Sequence, residues 1–200
     1  MTMVAALLGL LQMPGGSIEG VLYAAEVRAG DAVVYLVPLD STAAQPASER
    51  QTIDQRNLRF IPRVLTTSPG SMVEFLNSDA LLHNVFSPPG IGAAFDLGVY
   101  SMAERRARVF DSAGAYVILC HIHPEMLAYV VVAPSRYRAV SDREGNFRLD
   151  NVPPGRYELR VWHRRLAATP QEIVIPPESR LQLRLLLHPR SRTASARDRL

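Results

Sequence analysis

Two hundred residues with 48% hydrophobic content are enough for one or two packed domains and too apolar for a disordered chain. The 22 basic residues are all arginine and the net charge is only +3; no glycine-rich phosphate loop and no stripe of aromatic and basic residues accompanies them, which argues against nucleic acid as a partner. One cysteine, Cys120, excludes an internal disulfide and any multi-thiolate zinc site.

In chain order, Met3 to Leu11 is an apolar run within residues 1–15. It is too short for a membrane span, which needs about 20 residues. It reads either as the apolar part of a secretory signal or as an arm packed on the fold. Ile18-Glu19-Gly20-Val21-Leu22 and Ala32-Val33-Val34-Tyr35-Leu36 read as strands, followed by a polar loop from Asp40 to Arg50. Val73-Glu74-Phe75-Leu76-Asn77 alternates like a half-buried strand and is broken by Ser78-Asp79. His83-Asn84-Val85-Phe86-Ser87 starts the next extended segment. Ser112-Ala113-Gly114 is a turn before Ala115 to Cys120, a buried strand, and Tyr129 to Val132 is another. Beyond Pro134, strands are expected around Ala139, Phe147 to Leu149, Tyr157 to Trp162 and Leu181 to Leu187, separated by glycine- and proline-bearing turns. The stretch from Pro189 to Leu200 is polar and arginine-rich and reads as a tail. The pattern predicts an all-β chain.

The chemistry concentrates in Cys120-His121-Ile122-His123-Pro124-Glu125-Met126, taken with His83-Asn84. A thiolate, an imidazole and a thioether within seven residues, joined by a second imidazole from elsewhere, are the ligand set of a blue-copper electron-transfer site. Such a set lies between the preference of Cu(I) for sulfur and that of Cu(II) for nitrogen, so little moves when an electron passes. Glu125 is an alternative oxygen ligand to Met126. His121 follows Cys120 in an extended segment and should point to the opposite face. A trinuclear oxidase centre needs a histidine on each side of the cysteine, and Leu119 precedes Cys120.

Residues from about Gln55 to Val132 resemble the type I copper cupredoxins. The resemblance rests on Phe60-Ile61-Pro62, Gly70 to Phe75, Asn77-Ser78-Asp79, His83-Asn84-Val85 and the Cys120 to Met126 loop, whose spacing is most similar to amicyanin among plastocyanin-like proteins. It implies a Greek-key β-sandwich over residues 51–133 and one type I copper ion held by His83, Cys120, His123 and Met126. It also implies that Asn84 ties the two ligand loops together. The family usually has a small hydroxylic residue where this chain has His121.

A second region resembles the carboxypeptidase regulatory-like, transthyretin-like β-sandwich. It carries an Asp-x-x-Gly-x-Phe turn at Asp142 to Phe147 and a Pro-Pro-Gly-x-Tyr turn at Pro153 to Tyr157. The family's opening strands find their match at Ile18 to Leu22 and Ala32 to Leu36. Residues 16–50 and 134–188 would then form one small sandwich with the copper unit inserted between them; alternatively, the N-terminal strands extend the copper unit. The function implied is single-electron transport by a small periplasmic or otherwise exported copper protein. The reading expects no enzymatic activity, and its partners would be redox proteins such as a c-type cytochrome or an amine dehydrogenase-like donor. The alternative is a copper-binding chaperone or sensor acting through its second sandwich.

Overall fold

A computed structural model of the protein describes residues 15–25, 27–40, 47–89 and 94–190. These residues form strands, turns and loops with no helix, so the chain is all-β. The segment Met3 to Leu11 and the residues beyond Arg190 lie outside the described residues.

Two sheets come from the middle of the chain. One has four strands in the order Arg105–Phe110, Ser71–Asn77, Arg50–Gln55, Phe60–Ile61. The other has five, in the order Val64–Thr67, Leu127–Val132, Gly114–Leu119, His83–Ser87, Phe95–Tyr100. Period-two alternation sends Val73 and Phe75 inward from the first sheet and Tyr116 and Ile118 inward from the second, where they meet in one core. Arg50–Gln55 runs parallel to Ser71–Asn77 along its whole length. The sheet therefore begins ahead of Gln55, where the family resemblance starts.

A further nine-stranded system draws on both ends of the chain. Gly16–Ala24 lies parallel to Arg180–Pro189, from Ser17 opposite Arg180 to Ala24 opposite Leu187, and antiparallel to Asn146–Val152. Val33–Pro38 lies between Gly155–Trp162 and Arg138–Val140. Ile18, Leu22, Val34, Leu36, Leu159 and Leu185 fill the core between these strands. Gly20 is forced by packing: a Cβ there would stand 2.6 Å from the Phe147 ring and 2.8 Å from the Leu183 carbonyl oxygen. The turn before Phe147 is closed by the Asp142 carboxylate, which accepts the Asn146 N–H at 2.7 Å, while Gly145 takes φ +77°. The last strand continues through Pro189, because Ala167 and Leu166 pair with His188 and Pro189. The sequence pattern had assigned Pro189 to the tail.

The two halves share a third core of Val33, Tyr35, Val64, Val131, Ala133 and Trp162. The Tyr129 and Trp162 rings meet across it at 5.1 Å. Leu127–Val132 sends Ala128, Val130 and Val132 to one core and Val131 to the other. A strand covered on both faces needs an unbroken apolar run, which explains Val130-Val131-Val132.

Candidate metal centre

The site is built at one end of the central strands. Ser71–Asn77 ends at a turn in which the Asp79 N–H donates to Asn77 Oδ1 at 2.9 Å. The Asn77 amide also donates to the carbonyls of Leu81, at 2.8 Å, and Tyr100, at 3.2 Å. This fixes the connection that delivers His83. Asp79 in turn accepts the backbone N–H groups of Asn57, at 2.7 Å, and Leu58, at 3.0 Å, two residues with positive φ. Its Oδ2 lies 2.9 Å from His83 Nε2.

That contact sets the tautomer. With Nε2–H donated to the carboxylate, the lone pair of neutral His83 is on Nδ1, the form a metal-ligating imidazole needs. His83 Nδ1 lies 3.1 Å from His123 Nδ1, and His123 Nδ1 lies 4.0 Å from Cys120 Sγ. All three ligand atoms fall within 4.8 Å of one another. Two imidazole lone pairs brought this close need a shared proton or a cation between them.

Cys120 follows directly on the strand Gly114–Leu119 and is buried. The Asn84 N–H donates to its sulfur at 3.4 Å. Asn84 Oδ1 accepts the His121 N–H at 3.4 Å, so one side chain bridges the two ligand-bearing segments, as the family resemblance implies. The Asn84 amide is held by Asp96 at 2.6 Å and by the Gly98 carbonyl at 3.1 Å. The Gly98 N–H and the Asn84 amide hold the Asp96 carboxyl below its ordinary range.

His123 is half-buried at the rim, and the turn after it is closed by the Met126 N–H donating to the His123 carbonyl at 3.0 Å. Met126 is 1% exposed and packs in the same core as Cys120. Glu125 is exposed and stands outside the three-residue cluster. His121 points away from the cluster: its ring stacks on Phe86 at 3.6 Å and its Nε2 lies 3.3 Å from Asp96. The cluster therefore brings together His83, Cys120 and His123, with the loop's only thioether buried in the adjoining core. Soft sulfur with two imidazoles fits copper, and the sulfur side of the cluster is buried.

Sequence reasoning read Asp79 as a strand breaker and as part of the cupredoxin-like Asn77-Ser78-Asp79 motif, and gave it no role toward His83. The usable signal is the four-residue spacing between Asp79 and His83, the reach needed for a carboxylate to orient a ligating imidazole. Asp79 is partly desolvated, which raises its pKa, but the N–H groups of Leu58 and Asn57 and the His83 ring outweigh burial and hold it low. Its folded value is below its unfolded one. Its contribution to stability is therefore complete above the unfolded carboxylate range, at about pH 4. That contribution is lost as pH falls through the folded value. Asp79→Asn is expected to weaken metal binding by ~10–100-fold, read by competition with a chromophoric chelator. The stability gap between wild type and variant should close on acidification below about pH 4. An affinity unchanged from wild type would mean that Asp79 does not orient His83.

No protein-family model matches this chain, and no curated protein matches it. Solved structures similar to it include a copper-containing nitrite reductase from Thermus scotoductus SA-01, at 27% identity over 48% of this chain and TM-score 0.40. The matched part is 25% of that enzyme chain. A purple cupredoxin from Nitrosopumilus maritimus is 23% identical over 42% of this chain and 99% of its own, with TM-score 0.38. Amicyanin from Paracoccus versutus is 24% identical over 50% of this chain and 98% of its own, with TM-score 0.40.

Proposed function

We propose that this chain is a mononuclear type I copper protein that carries single electrons between redox partners, with His83, Cys120, His123 and Met126 as its ligands. The observation that carries the reading is the convergence of two imidazole nitrogens and one buried thiol within 4.8 Å, next to a buried methionine. Copper, when bound, supplies a one-electron couple. Asp79 holds the His83 ring, the Asn84 N–H holds the sulfur, and the Asn84 side chain holds the two segments in register. A centre braced in this way changes little between oxidation states, which favours rapid exchange. Four protein ligands leave no open position for a substrate, so the reading is a carrier rather than an enzyme. His83, Cys120 and Met126 are almost fully buried, which disfavours the ready release a chaperone requires.

His123 is the ligand nearest solvent. Leu81, Leu82 and Ile122, adjacent in sequence to the two histidines, are 49%, 54% and 42% exposed. Exposed apolar side chains close in sequence to the ligands suit contact with a transient redox partner. A c-type cytochrome and an amine dehydrogenase-like donor are partners of the right class. We place the protein in an exported, periplasmic-type compartment on its family resemblance and on the apolar segment Met3 to Leu11. We also propose that the copper unit is inserted into a carboxypeptidase regulatory-like sandwich formed by residues 16–50 and 134–188. The pairing of Gly16–Ala24 with strands after residue 145 supports this arrangement.

The test is the axial position. Met126→Leu should keep copper and raise the reduction potential, because losing a weak donor favours Cu(I); Met126→Gln should lower it. Potentials that do not move in either variant would remove Met126 from the ligand set.

A further inference from the structure

Several arginine side chains of this protein have an acid to answer them. Arg148 meets Glu19 and Asp150, Arg156 meets Asp40 and Glu172, and Arg138 meets Glu49. Arg59, Arg63 and Arg143 do not. All three are exposed, and among the described residues none has an ion pair, hydrogen bond or ring contact through its side chain. They nevertheless line one cleft of about 890 Å³ between the two halves of the molecule. None of His83, Cys120, His123 or Met126 lines it.

The backbone beneath these side chains is fixed. Arg59 and Arg56 exchange backbone hydrogen bonds at 2.9 and 3.2 Å, and the Arg63 carbonyl accepts the Tyr129 N–H at 2.9 Å. The Asp142–Arg143 turn is packed so closely on Gly30 that a Cβ there would stand 2.5 Å from the Asp142 carbonyl oxygen. Three guanidinium groups are thus carried on rigid supports around one space. The cleft also contains Asp31 and Glu125, but neither is within ion-pair distance of the arginines. Asp31 faces another basic group, since it is within electrostatic reach of His163, which also feels Arg164, Arg165 and Arg190. The floor is apolar, formed by Phe60, Ile61 and Leu127.

Guanidinium groups that line one cleft without forming an ion pair are free to take an anion, and their planar forks match carboxylate and phosphate oxygens bidentately. The volume is in the range of small-molecule sites, which favour junctions between packed units. We propose that this cleft binds a small organic anion with at least two carboxylate or phosphate groups on a flat apolar body. The body lies on Phe60, Ile61 and Leu127, and the anionic groups reach Arg63 and Arg59 on one wall and Arg143 on the other.

The test uses the full chain, metal-free, titrated calorimetrically with benzene-1,3-dicarboxylate, benzoate and inorganic phosphate. The dicarboxylate should bind saturably at one site, at least tenfold tighter than either of the other two. Arg63→Ala and Arg143→Ala should each weaken it at least tenfold, bringing it to the level of benzoate. Arg105→Ala, which removes an exposed arginine outside the cleft, should leave it unchanged. Absence of saturable binding would overturn the proposal. So would equal affinity for mono- and dianion, phosphate binding as tight as the dicarboxylate, or a loss in Arg105→Ala as large as in the cleft variants.

Discussion

Cys120→Ser is expected to abolish the intense visible absorption of the copper-loaded protein. That absorption requires sulfur bonded to Cu(II), and Cys120 is the only thiol in the chain. The variant should still fold. Serine is smaller than cysteine and its hydroxyl can accept the Asn84 N–H that the sulfur now accepts at 3.4 Å, so the buried oxygen is not left unpaired. The cost to the metal-free scaffold should be about 1 kcal/mol, within the range of one altered hydrogen bond. The measurement is a visible spectrum of wild type and variant loaded with copper, with a thermal melt of each without it. A variant that keeps the band would show that the colour arises elsewhere. A variant that fails to fold would show that Cys120 is needed for packing.

Removing residues 134–200 should have the larger effect on folding. Gly16–Ala24 would lose both Arg180–Pro189 and Asn146–Val152, and Val33–Pro38 would lose both of its neighbours. Four strand edges would open at once, and Ile18, Leu22, Val34 and Leu36 would lose the core that covers them. Unpaired edges with exposed apolar faces associate, so the 15–133 fragment is expected to precipitate. The 47–133 fragment keeps every strand of the four- and five-stranded sheets, and with them all the proposed metal ligands. It loses the shared face around Val64 and Val131, worth roughly 1.5–3 kcal/mol for each fully buried side chain, and the Arg138 partner of Glu49. It should stay soluble, melt at a lower temperature than the parent and bind copper. If 15–133 is the better behaved of the two, the N-terminal strands gain their stability from the central sheets and the insertion proposal fails.

The metal loop is legible in the sequence because its spacing is local. Cys120, His123 and Met126 lie within seven residues, and the hairpin Gly114–Leu119 with Leu127–Val132 closes at Leu119 opposite Leu127. The alternation of Val73 and Phe75 with polar or half-exposed neighbours is legible for the same reason. His83 is different in kind. Its residue type suggests a ligand, but its approach to His123 depends on the turn at Asn77 and on Asp79 gripping the backbone of Asn57 and Leu58, more than twenty residues upstream. No window of sequence carries that contact. The arginine cleft is harder still to read. Arg59, Arg63 and Arg143 are ordinary surface residues in their own segments, and only the packing of the two halves puts them around one space. Val131 also shows the limit of pattern reading. An unbroken valine run signals burial on both faces but does not say that the second face belongs to another core.

The parallel ladder between Gly16–Ala24 and Arg180–Pro189 has a mechanical consequence. A pull applied at Gly16 and Pro189 would draw the two strands past each other lengthwise, loading all eight paired positions from Ser17–Arg180 to Ala24–Leu187 together. Hydrogen bonds loaded side by side resist far more force than bonds opened one at a time from an end. Everything from Arg50 to Val132, including the candidate metal centre, lies between these strands in the chain. Tension on the ends would therefore reach the centre only after this clasp had sheared.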